Sequence, residues 1–572
     1  MSKITTVAGP LRTMGLSLLI ATMLFVGNVG TAMATWTTSA FSPSEEQLLY
    51  TLTNGDRAGA NLFPLDLDPY LHKEAEWRAK DMADRNDFSH IIPPDGKTVF
   101  SYMQADGYCF ELAGENIGYN PPTDGAHATT SINTAFMASP GHRDNILGRW
   151  TNAGYAAYEK FDGTKWYVEL FSLPCGYVIP STYKPITPAR IYDSRNPSSP
   201  LHARTDRTFQ VTGLGGVPAN ATAVTGNLTV VDQTRLGYVD ISSGGSLTSG
   251  VEPPTSTINF PVGDIRANDV TVPLSLDGKL DAMYWCSTST DTADIIFDVT
   301  GYYENDYAGS DFVGITPAVA LNTSTGVGLS GPFVSHTKRT FNLSALSAIP
   351  TNAVAVAGNI IVNSQTKQGY VTVSTGGSLT SGVTPPTSSV NFPTGDVRSN
   401  GIVVALGPNK TLDAMYWAST TTDTVQVTFE VTGYFLPGNA ASIGVYYPLS
   451  APVRILDSRL GLGATTFHSR VVKTLLLPVT LMGWYGVTGN LTVTAQTRAG
   501  FVSIAPDLTS GISPVTHTLN FPISDNRSVG VTVDTNGDTV DIMYWTSVTS
   551  DTTAVIFDES GYFGMPPAEI EQ

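Results

Sequence analysis

Two serine–histidine pairs are the first residues of this sequence whose types invite a chemical role. Ser89 directly precedes His90, and Ser139 lies three residues before His142. A serine nucleophile needs a base within hydrogen-bonding distance and a third group that orients the base, and closeness in sequence does not establish that geometry. The sequence therefore supplies no convincing nucleophile, and a peptidase of the serine–histidine type is disfavoured.

The N-terminus has the features of a secretory signal peptide. Lys3 and Arg12 precede an apolar stretch that closes on small residues at 32–34. Glycine and asparagine interrupt the stretch, which is shorter than the roughly 20 uniformly apolar residues of a membrane span. We therefore expect residues 1–34 to be a signal peptide cleaved after Ala34, and a permanent anchor is the disfavoured alternative. No later segment is apolar enough to cross a bilayer, so the mature chain is expected outside the membrane.

The composition limits the possible partners. Of the 572 residues 14% are charged, the formal net charge is −18, and there are 54 glycines and 36 prolines. An acidic surface repels phosphate backbones, so nucleic acid is excluded as a partner. Low charge with many Thr, Ser and Val residues favours β-rich folded domains over disorder, and the length suggests about four domains.

Residues 41–176 have the pattern of a mixed α and β domain. Helices are expected from Ser42, from about 69 to 85, and near 132–137. Towards the end of this region an Asp-Gly turn joins two predicted strands, at 154–158 and 166–171.

The motifs of this region resemble those of bacterial CAP (SCP-like) domains in their order and spacing. They include Leu52-Thr53-Asn54-Gly55-Asp56-Arg57, Phe88-Ser89-His90, Gly114-Glu115-Asn116 and Ser139-Pro140-Gly141-His142-Arg143-Asp144-Asn145. The resemblance implies an α-β-α sandwich with a central cleft that holds two histidines and two glutamates and, in some members, a divalent metal.

Carried onto this sequence, the resemblance places His90, Glu115 and His142 in the cleft. The fourth position departs from the family pattern, because residues 136–139 are Phe-Met-Ala-Ser where other members have a second glutamate. Two imidazoles and one carboxylate can hold Zn²⁺ with water in the fourth place, so weak binding of a divalent metal such as zinc is expected.

Each of these residues also has a structural interpretation. Either histidine can be a hydrogen-bonded structural residue, and Glu115 can cap backbone donors in a tight turn between Gly114 and Gly118. His72 and His127 lie outside the motifs and are expected to be surface residues.

The rest of the chain is three copies of one unit. Gly226-Asn227-Leu228-Thr229-Val230 recurs at 358–362 and 489–493, and the closing Gly301-Tyr302-Tyr303 recurs at 433–435 and 561–563. Short runs of Val, Thr, Ile and aromatic residues between turn residues predict all-β domains, most simply β-sandwiches. The copies are expected at 183–305, 312–437 and 445–565, each able to fold alone and strung together as beads of a stalk.

Two charged motifs of the repeats are interpreted as structural. The start motif Pro188 to Arg195 recurs at 452–459 and resembles that of repeats in secreted actinobacterial proteins, but residues 319–324 replace it in the second copy. Because the second copy lacks the motif, a dispensable ion pair is favoured over a binding site. Asp264 and Arg266, which recur in every copy, share one face of a strand and can pair.

The Tyr-Trp dipeptides of the repeats, at 284–285, 416–417 and 544–545, invite a glycan-binding hypothesis. Neighbours on a strand point to opposite faces, so at most one residue of each pair should lie in the core. A core role is favoured, and a glycan role for the repeats stays open.

Three cysteines leave at least one unpaired in an oxidising compartment. Cys286 is expected to be a free thiol, because the matching positions in the other copies are Ala418 and Thr546. Cys109 and Cys175 both lie in the CAP-like region without another local partner and are expected to form a disulfide. Two buried cysteines without a bridge are the alternative.

The sequence thus predicts a CAP-like α+β domain followed by three all-β domains in a secreted protein. We expect an extracellular or noncovalently cell-wall-associated binding scaffold whose ligand is a lipid, a glycan or a protein, because the resemblance favours binding over catalysis. A metal-dependent hydrolase that acts through His90, Glu115 and His142, and a purely structural envelope component, are the alternatives.

Overall fold

The computed structural model describes residues 37–122, 125–438, 444–478 and 485–567. The predicted signal peptide and its cleavage site therefore lie outside the described residues. No helix in the described ranges is long and apolar enough to cross a lipid bilayer.

The first domain contains five helices and five strands within the described residues. They are β1 (Ala40–Phe41), α1 (Pro43–Gly59), β2 (Asp66–Leu67), α2 (Pro69–Arg85), α3 (Val99–Ala105), β3 (Phe110–Asn120), α4 (Gly125–Ala138), α5 (Pro140–Ile146), β4 (Asn152–Glu159) and β5 (Lys165–Pro174). The helix predicted at 69–85 has these bounds, and α4 is longer than the helix predicted near 132–137.

These elements form three layers. The sheet has the order β1-β4-β5-β3, and β2 runs parallel beside β4. The apolar side chains of α1, α4 and α5 pack on one face of the sheet, and those of α2 and α3 pack on the other. The predicted α-β-α sandwich is confirmed.

The three repeats have the same succession of nine strands. In the first these are β6 (Thr182–Asp193), β7 (Leu201–His202), β8 (Asp206–Gln210), β9 (Ala221–Val231), β10 (Gly237–Ser243), β11 (Ile258–Phe260), β12 (Arg266–Pro273), β13 (Lys279–Trp285) and β14 (Thr292–Glu304). In the second they are β15 (Ser310–Asn322), β16 (Phe333–Val334), β17 (Lys338–Asn342), β18 (Ala355–Asn363), β19 (Gly369–Thr375), β20 (Val390–Phe392), β21 (Arg398–Ala405), β22 (Thr411–Ala418) and β23 (Thr424–Pro437), with a 3₁₀ turn at Pro408–Lys410. In the third they are β24 (Val445–Asp457), β25 (Phe467–His468), β26 (Val472–Leu476), β27 (Gly486–Thr494), β28 (Gly500–Ala505), β29 (Leu519–Phe521), β30 (Arg527–Val533), β31 (Thr539–Trp545) and β32 (Thr552–Gly564).

Each repeat is a sandwich of two antiparallel sheets. In the first, the sheet β11-β10-β13-β8 packs on the strands β12-β9-β14-β6, and the other repeats follow the same order. The core between the sheets includes Tyr284, whereas Trp285 points away and is covered by the guanidinium of Arg204, 5.1 Å from the ring centroid. The predicted all-β sandwiches are confirmed, and the tyrosine of each Tyr-Trp pair is the core residue.

The expectation that the repeats are strung together as beads of a stalk is wrong, because the three repeats pack around a common axis. Tyr183 and Tyr303 of the first repeat contact aromatic residues of both others, with Phe435 and Tyr446 each 4.3 Å away between ring centroids. The first strands also meet, since Tyr183 pairs with Ser310. Each sandwich leaves an aromatic end that its own core does not cover, and the three ends bury one another. Folding of a repeat on its own stays a prediction.

A closed ring of six charged residues encircles this axis. Arg266, Arg398 and Arg527 each bind the aspartate two residues earlier in their own repeat, at 2.7–2.8 Å. Each also binds an aspartate of another repeat at 2.7 Å, in the pairs Arg266–Asp525, Arg398–Asp264 and Arg527–Asp396. The pairing predicted within a repeat is present, and the same charges also join each repeat to the next.

A single aspartate occupies the place where the three repeats come closest. Asp269 corresponds to Gly401 and Gly530 in the other copies, and a Cβ on either glycine would lie 2.0–2.1 Å from a neighbouring carbonyl oxygen. Asp269 is 5% exposed, and burial raises the pKa of its carboxyl to about 8. One aspartate and two glycines at equivalent positions are possible because the copies belong to one chain.

The start motifs of the first and third repeats form structural ion pairs. Arg190 binds Asp298 at 2.9 Å, and Arg454 binds Asp558 at 2.7 Å. In the second repeat Val319 stands in place of the arginine, and the 3%-exposed carboxylate of Glu430 accepts two hydrogen bonds of 3.0 Å from the backbone N–H of His517. The second repeat thus dispenses with the arginine, as a structural role predicts, while its acid keeps a backbone contact with a neighbouring repeat like that of Asp558 with Ser256.

The first domain is docked on the first repeat. Tyr307 packs its ring 4.2 Å from that of Phe63, and its N–H donates to the carbonyl oxygen of Asn61 at 2.7 Å. Arg149 donates to the carbonyl oxygen of Leu276 at 2.8 Å. The two parts of the chain are thus joined by more than the segment that links them.

We expect Asp264→Asn to lower the free energy of unfolding of the repeats by about 3–5 kcal/mol. The change removes one partner from the buried guanidinium groups of Arg266 and Arg398, and an uncompensated buried charge has this cost. The control is Asp277→Asn, which breaks an exposed pair with Lys279 and should cost at most about 1 kcal/mol. Urea unfolding measures both, and equal effects of the two variants would contradict the structural role of the ring.

The pKa of Asp269 predicts that stability falls as the pH rises. In the unfolded state the carboxyl loses its proton near the ordinary pKa of 3.8, whereas in the folded state it keeps the proton up to about pH 8. The stabilisation from this proton is therefore complete at low pH and is lost as the pH rises through about 8. Asp269→Asn should remove up to about 3 kcal/mol of the difference in unfolding free energy between pH 5.5 and pH 8.5. An unchanged pH profile in this variant, measured beside Asp277→Asn, would contradict the assignment.

Candidate functional site

The carboxylate of Glu115 is held by two partners on one side of the sheet. Its Oε1 accepts a hydrogen bond from Arg78 Nε at 3.0 Å, and its Oε2 lies 2.6 Å from His90 Nδ1. The side chains of Glu115 and Arg78 are both 2% exposed. Glu115 lies within β3, so its interpretation as the cap of a tight turn is wrong.

Arg78 also positions the segment that carries His90. It projects from α2 into the core, where its Nη2 donates to the carbonyl oxygen of Ser89, and its Nη1 lies 3.6 Å from Asp81. A buried guanidinium needs such a full set of acceptors, because an unpaired charge in the core is strongly destabilising. Arg78 thereby fixes the place of His90 without contacting its imidazole ring.

Asn116, the next residue of β3, organises the opposite side of the sheet. Successive side chains of a strand point to opposite faces. Its Nδ2 donates to Glu169 Oε2 at 2.8 Å and to the carbonyl oxygen of His142 at 3.1 Å, and its Oδ1 accepts from Asn145 at 2.9 Å. The motif Gly-Glu-Asn thus positions both histidines, one through Glu115 and the other through Asn116.

Buried polar side chains, Glu169 and Arg57, hold Asn116 and the end of α5 in place. Glu169 is fully buried, accepts a hydrogen bond from Thr53 Oγ1 at 2.7 Å, and has its pKa raised by burial to about 7. The buried Arg57 donates to the carbonyl oxygens of Ile146 and Gly148, at 2.8 and 2.9 Å. The α1 helix therefore anchors the end of α5, just after His142.

His142 lies at the edge of this network on α5. Burial lowers the pKa of its imidazole, and the nearby His90 lowers it further. The ring of Phe136 lies 5.0 Å from that of His142 between centroids. An apolar ring therefore packs on His142 from the helix segment that carries a glutamate in other members of the resembled family.

The three predicted metal ligands do not form a zinc site in this arrangement. Within the described ranges, the candidate ligand atoms of His90, Glu115 and His142 are not gathered within 4.8 Å of one another. Both oxygens of Glu115 are already engaged, by Arg78 and by His90. The residues thus do not fit the three-ligand ion that the resemblance implies, although the two imidazoles remain neighbours.

An exposed aromatic patch adjoins His90. The patch consists of Phe88 and Tyr119, which are 49% and 51% exposed, above the buried ring of Trp166. Phe88 contacts Tyr119 edge to face at 5.2 Å, and Tyr119 stacks on Trp166 at 5.2 Å. Ile91, next to His90, is also 49% exposed. Apolar side chains therefore flank a polar imidazole on the protein surface.

Neither serine forms a catalytic pair with its histidine. Ser89 Oγ accepts a hydrogen bond from the N–H of Ile91 at 3.0 Å. For Ser139, the described residues contain no hydrogen bond between its hydroxyl and His142. The geometry therefore gives no support to a serine nucleophile.

The structure joins Cys109 to Cys175 by a disulfide, with 5.3 Å between the Cα atoms. The bridge ties the start of β3 to the end of β5, its neighbour in the sheet. Cys286 is a buried free thiol whose Sγ contacts the carbonyl oxygen of Thr288 at 3.1 Å. His127 is exposed, and His72 is partly exposed beside Glu46.

Sequence reasoning did not identify Arg78, Asn116 or Glu169 as parts of the site. Arg78 stands among the apolar positions that α2 turns to the core, and an arginine there needs a buried acid. That signal could have identified Arg78 as the partner of a glutamate. The polar residues of α1 that are buried, such as Thr53 and Arg57, could not be recognised in the same way. In the sequence they look like the residues of a solvent-exposed helix face.

The match to a protein family falls in the first domain. Residues 50–171 match the model of the cysteine-rich secretory protein family, CAP. The uncharacterized protein YkwD of Bacillus subtilis is 36% identical over 133 residues, which are 23% of this chain and 49% of that protein. The chain thus spans about half the length of the curated relative it matches.

Two solved structures of bacterial proteins each match about a quarter of this chain. One is an extracellular protein containing a SCP domain from Bacillus anthracis, which is 31% identical with a TM-score of 0.20. The match covers 23% of this chain and 40% of that protein. The other is an outer surface protein from Borrelia burgdorferi, which is 19% identical with a TM-score of 0.21. The match covers 24% of this chain and 99% of that protein. The family match and the relative from Bacillus subtilis identify the first domain as a CAP domain of the bacterial type.

We expect Glu115→Gln to lower the unfolding free energy of the first domain by about 3–5 kcal/mol, since it leaves the buried charge of Arg78 without its main partner. The control is Asp84→Asn on α2, the helix that carries Arg78. This change breaks an exposed pair with Lys80 and should cost less than about 1 kcal/mol. Thermal unfolding of the full chain compares the two variants. An unchanged unfolding free energy in Glu115→Gln would show that the ion pair does not stabilise the first domain.

Proposed function

We propose that this protein is a secreted, cell-envelope-associated binding protein whose CAP domain captures an amphipathic ligand at the aromatic patch beside His90. The observation that carries this proposal is the exposure of Phe88 and Tyr119 next to a polar imidazole. Exposed aromatic side chains that adjoin a polar group are typical of ligand and partner sites. Of the three ligand classes expected from the sequence, a lipid matches this combination best.

The contacts of the Glu115 carboxylate favour a binding role over a catalytic one. A general base needs a carboxylate free to accept a proton, whereas this one is engaged by Arg78 and His90. A metal-dependent hydrolase needs an ion held in an open site, and the donor atoms for such an ion are not gathered there within the described residues. The hydrolase and the purely structural envelope component therefore stay as alternatives of lower support.

The packing of the repeats suits display of the CAP domain at a surface. The first repeat contacts the CAP domain, and the other two pack against the first. We infer that the repeats hold the domain as a rigid platform rather than as a flexible stalk. Secretion is supported by the signal-peptide features of residues 1–34.

Titration of the full chain with a monomeric long-chain fatty acid, followed by tryptophan fluorescence and calorimetry, tests the proposal. We expect saturable binding that weakens at least tenfold in Phe88→Ala and Tyr119→Ala, because both rings supply apolar contact area. Leu460→Ala, which removes a 79%-exposed side chain of the third repeat, is the control and should bind as the wild type.

Two results would count against the proposal. Equal binding by all the variants would place the fatty acid elsewhere. Hydrolysis of ester or peptide substrates by the wild type, lost in His142→Ala, would favour the enzyme. Saturable binding of a cell-wall glycan fragment in place of the fatty acid, sensitive to Phe88→Ala, would keep the site and change the ligand class.

A further inference from the structure

A second group of metal-ligating side chains lies away from the cleft. It consists of Glu46 on α1 and of His72 and Glu76 on α2, and their ligand atoms all lie within 4.8 Å of one another. No other group of three such residues meets this distance within the described ranges of the chain. The sequence motifs do not include this group, and His72 was expected to be an ordinary surface residue.

The fold brings the three side chains together at the edge of the sheet. His72 and Glu76 are four residues apart and therefore share one face of α2. Gly154 of β4 lets this helix approach closely, because a Cβ there would lie 2.2 Å from the backbone nitrogen of His72. Across the same strand, the N–H of Ala157 donates to Glu46 Oε1 at 3.2 Å and orients that carboxylate.

The two acidic side chains of the group have no lysine or arginine partner within the described residues. Glu46 is 4% exposed, whereas His72 and Glu76 are partly exposed. Within the described residues, no Lys or Arg lies within 4.0 Å of either carboxylate, and the one ion-pair contact is that of Glu46 with His72. A buried carboxylate without a cation is costly, so the arrangement would gain from a bound positive ion.

The imidazole of His72 is not committed to a hydrogen bond. Its Nδ1 is buried and has no hydrogen-bond partner. Its Nε2 lies 3.8 Å from Glu46 Oε2, beyond hydrogen-bonding distance. This separation is close to the roughly 3.3 Å expected between two ligand atoms that share a tetrahedral zinc ion, given metal–ligand distances of about 2.0–2.1 Å.

We propose that Glu46, His72 and Glu76 bind one divalent transition-metal ion of the zinc class. One imidazole and two carboxylates are a donor set that such ions accept, with water completing the coordination. The N–H of Ala157 is the outer group that orients one ligand, as is usual around metal sites. The ion joins α1 to α2 across the edge of the sheet and so ties together the two helix layers of the CAP domain.

Calorimetric titration of the metal-free full chain with Zn²⁺, together with the visible spectrum of the Co²⁺ form, tests this site. We expect one ion per chain and a higher midpoint of thermal unfolding with Zn²⁺, because an ion that binds the folded state stabilises it. His72→Ala and Glu76→Gln should each weaken binding at least tenfold and abolish the Co²⁺ spectrum. Both side chains are partly exposed, so both variants should fold, which circular dichroism checks.

The double variant His90→Ala/His142→Ala is the matched control and should bind Zn²⁺ as the wild type does. No binding by the wild type, or undiminished binding by both His72→Ala and Glu76→Gln, would overturn the proposal. Binding that survives in His72→Ala and is lost in the double variant would assign the ion to the cleft and would likewise overturn it.

Discussion

The ring of three aspartates and three arginines around the common axis is the interaction on which the arrangement of the repeats depends. Each arginine binds an aspartate of its own repeat and one of another, so removal of any member leaves a buried charge in two repeats at once. Buried ion pairs contribute little net stability but strongly disfavour arrangements that separate them. The ring therefore selects one assembly of the repeats among those that could cover the aromatic ends.

Fusion into one chain allows this nearly symmetric assembly to be unequal at chosen points. Asp269 fills a space at the axis that Gly401 and Gly530 must leave empty, whereas three identical aspartates would bring like charges together. Val319 and Glu430 similarly replace the arginine–aspartate pair in one copy, where Glu430 accepts a hydrogen bond from the backbone N–H of His517. An assembly of identical subunits could not carry these differences, because each would occur three times.

In the CAP domain the same requirement, that buried charges be satisfied, decides how the cleft is used. Glu115 and Asn116 are neighbours on one strand, so one sequence motif controls both sides of the sheet. The carboxylate of Glu115 pairs with Arg78 and orients His90. The cleft is left with two neighbouring imidazoles and an aromatic patch, whereas uncommitted metal ligands gather at another edge of the domain.

The sequence by itself determined the CAP domain and the three sandwiches, and it allowed at most one residue of each Tyr-Trp pair in the core, because these follow from local periodicity, turn residues and motif order. Only the tertiary structure decided that the repeats surround an axis, since the second partner of Arg266 lies 259 residues away in the chain. It also decided that Glu115 binds Arg78 and that His72 meets Glu46. Long-range pairing of charges leaves no periodic trace in a single sequence, and burial reveals it only once the chain has folded.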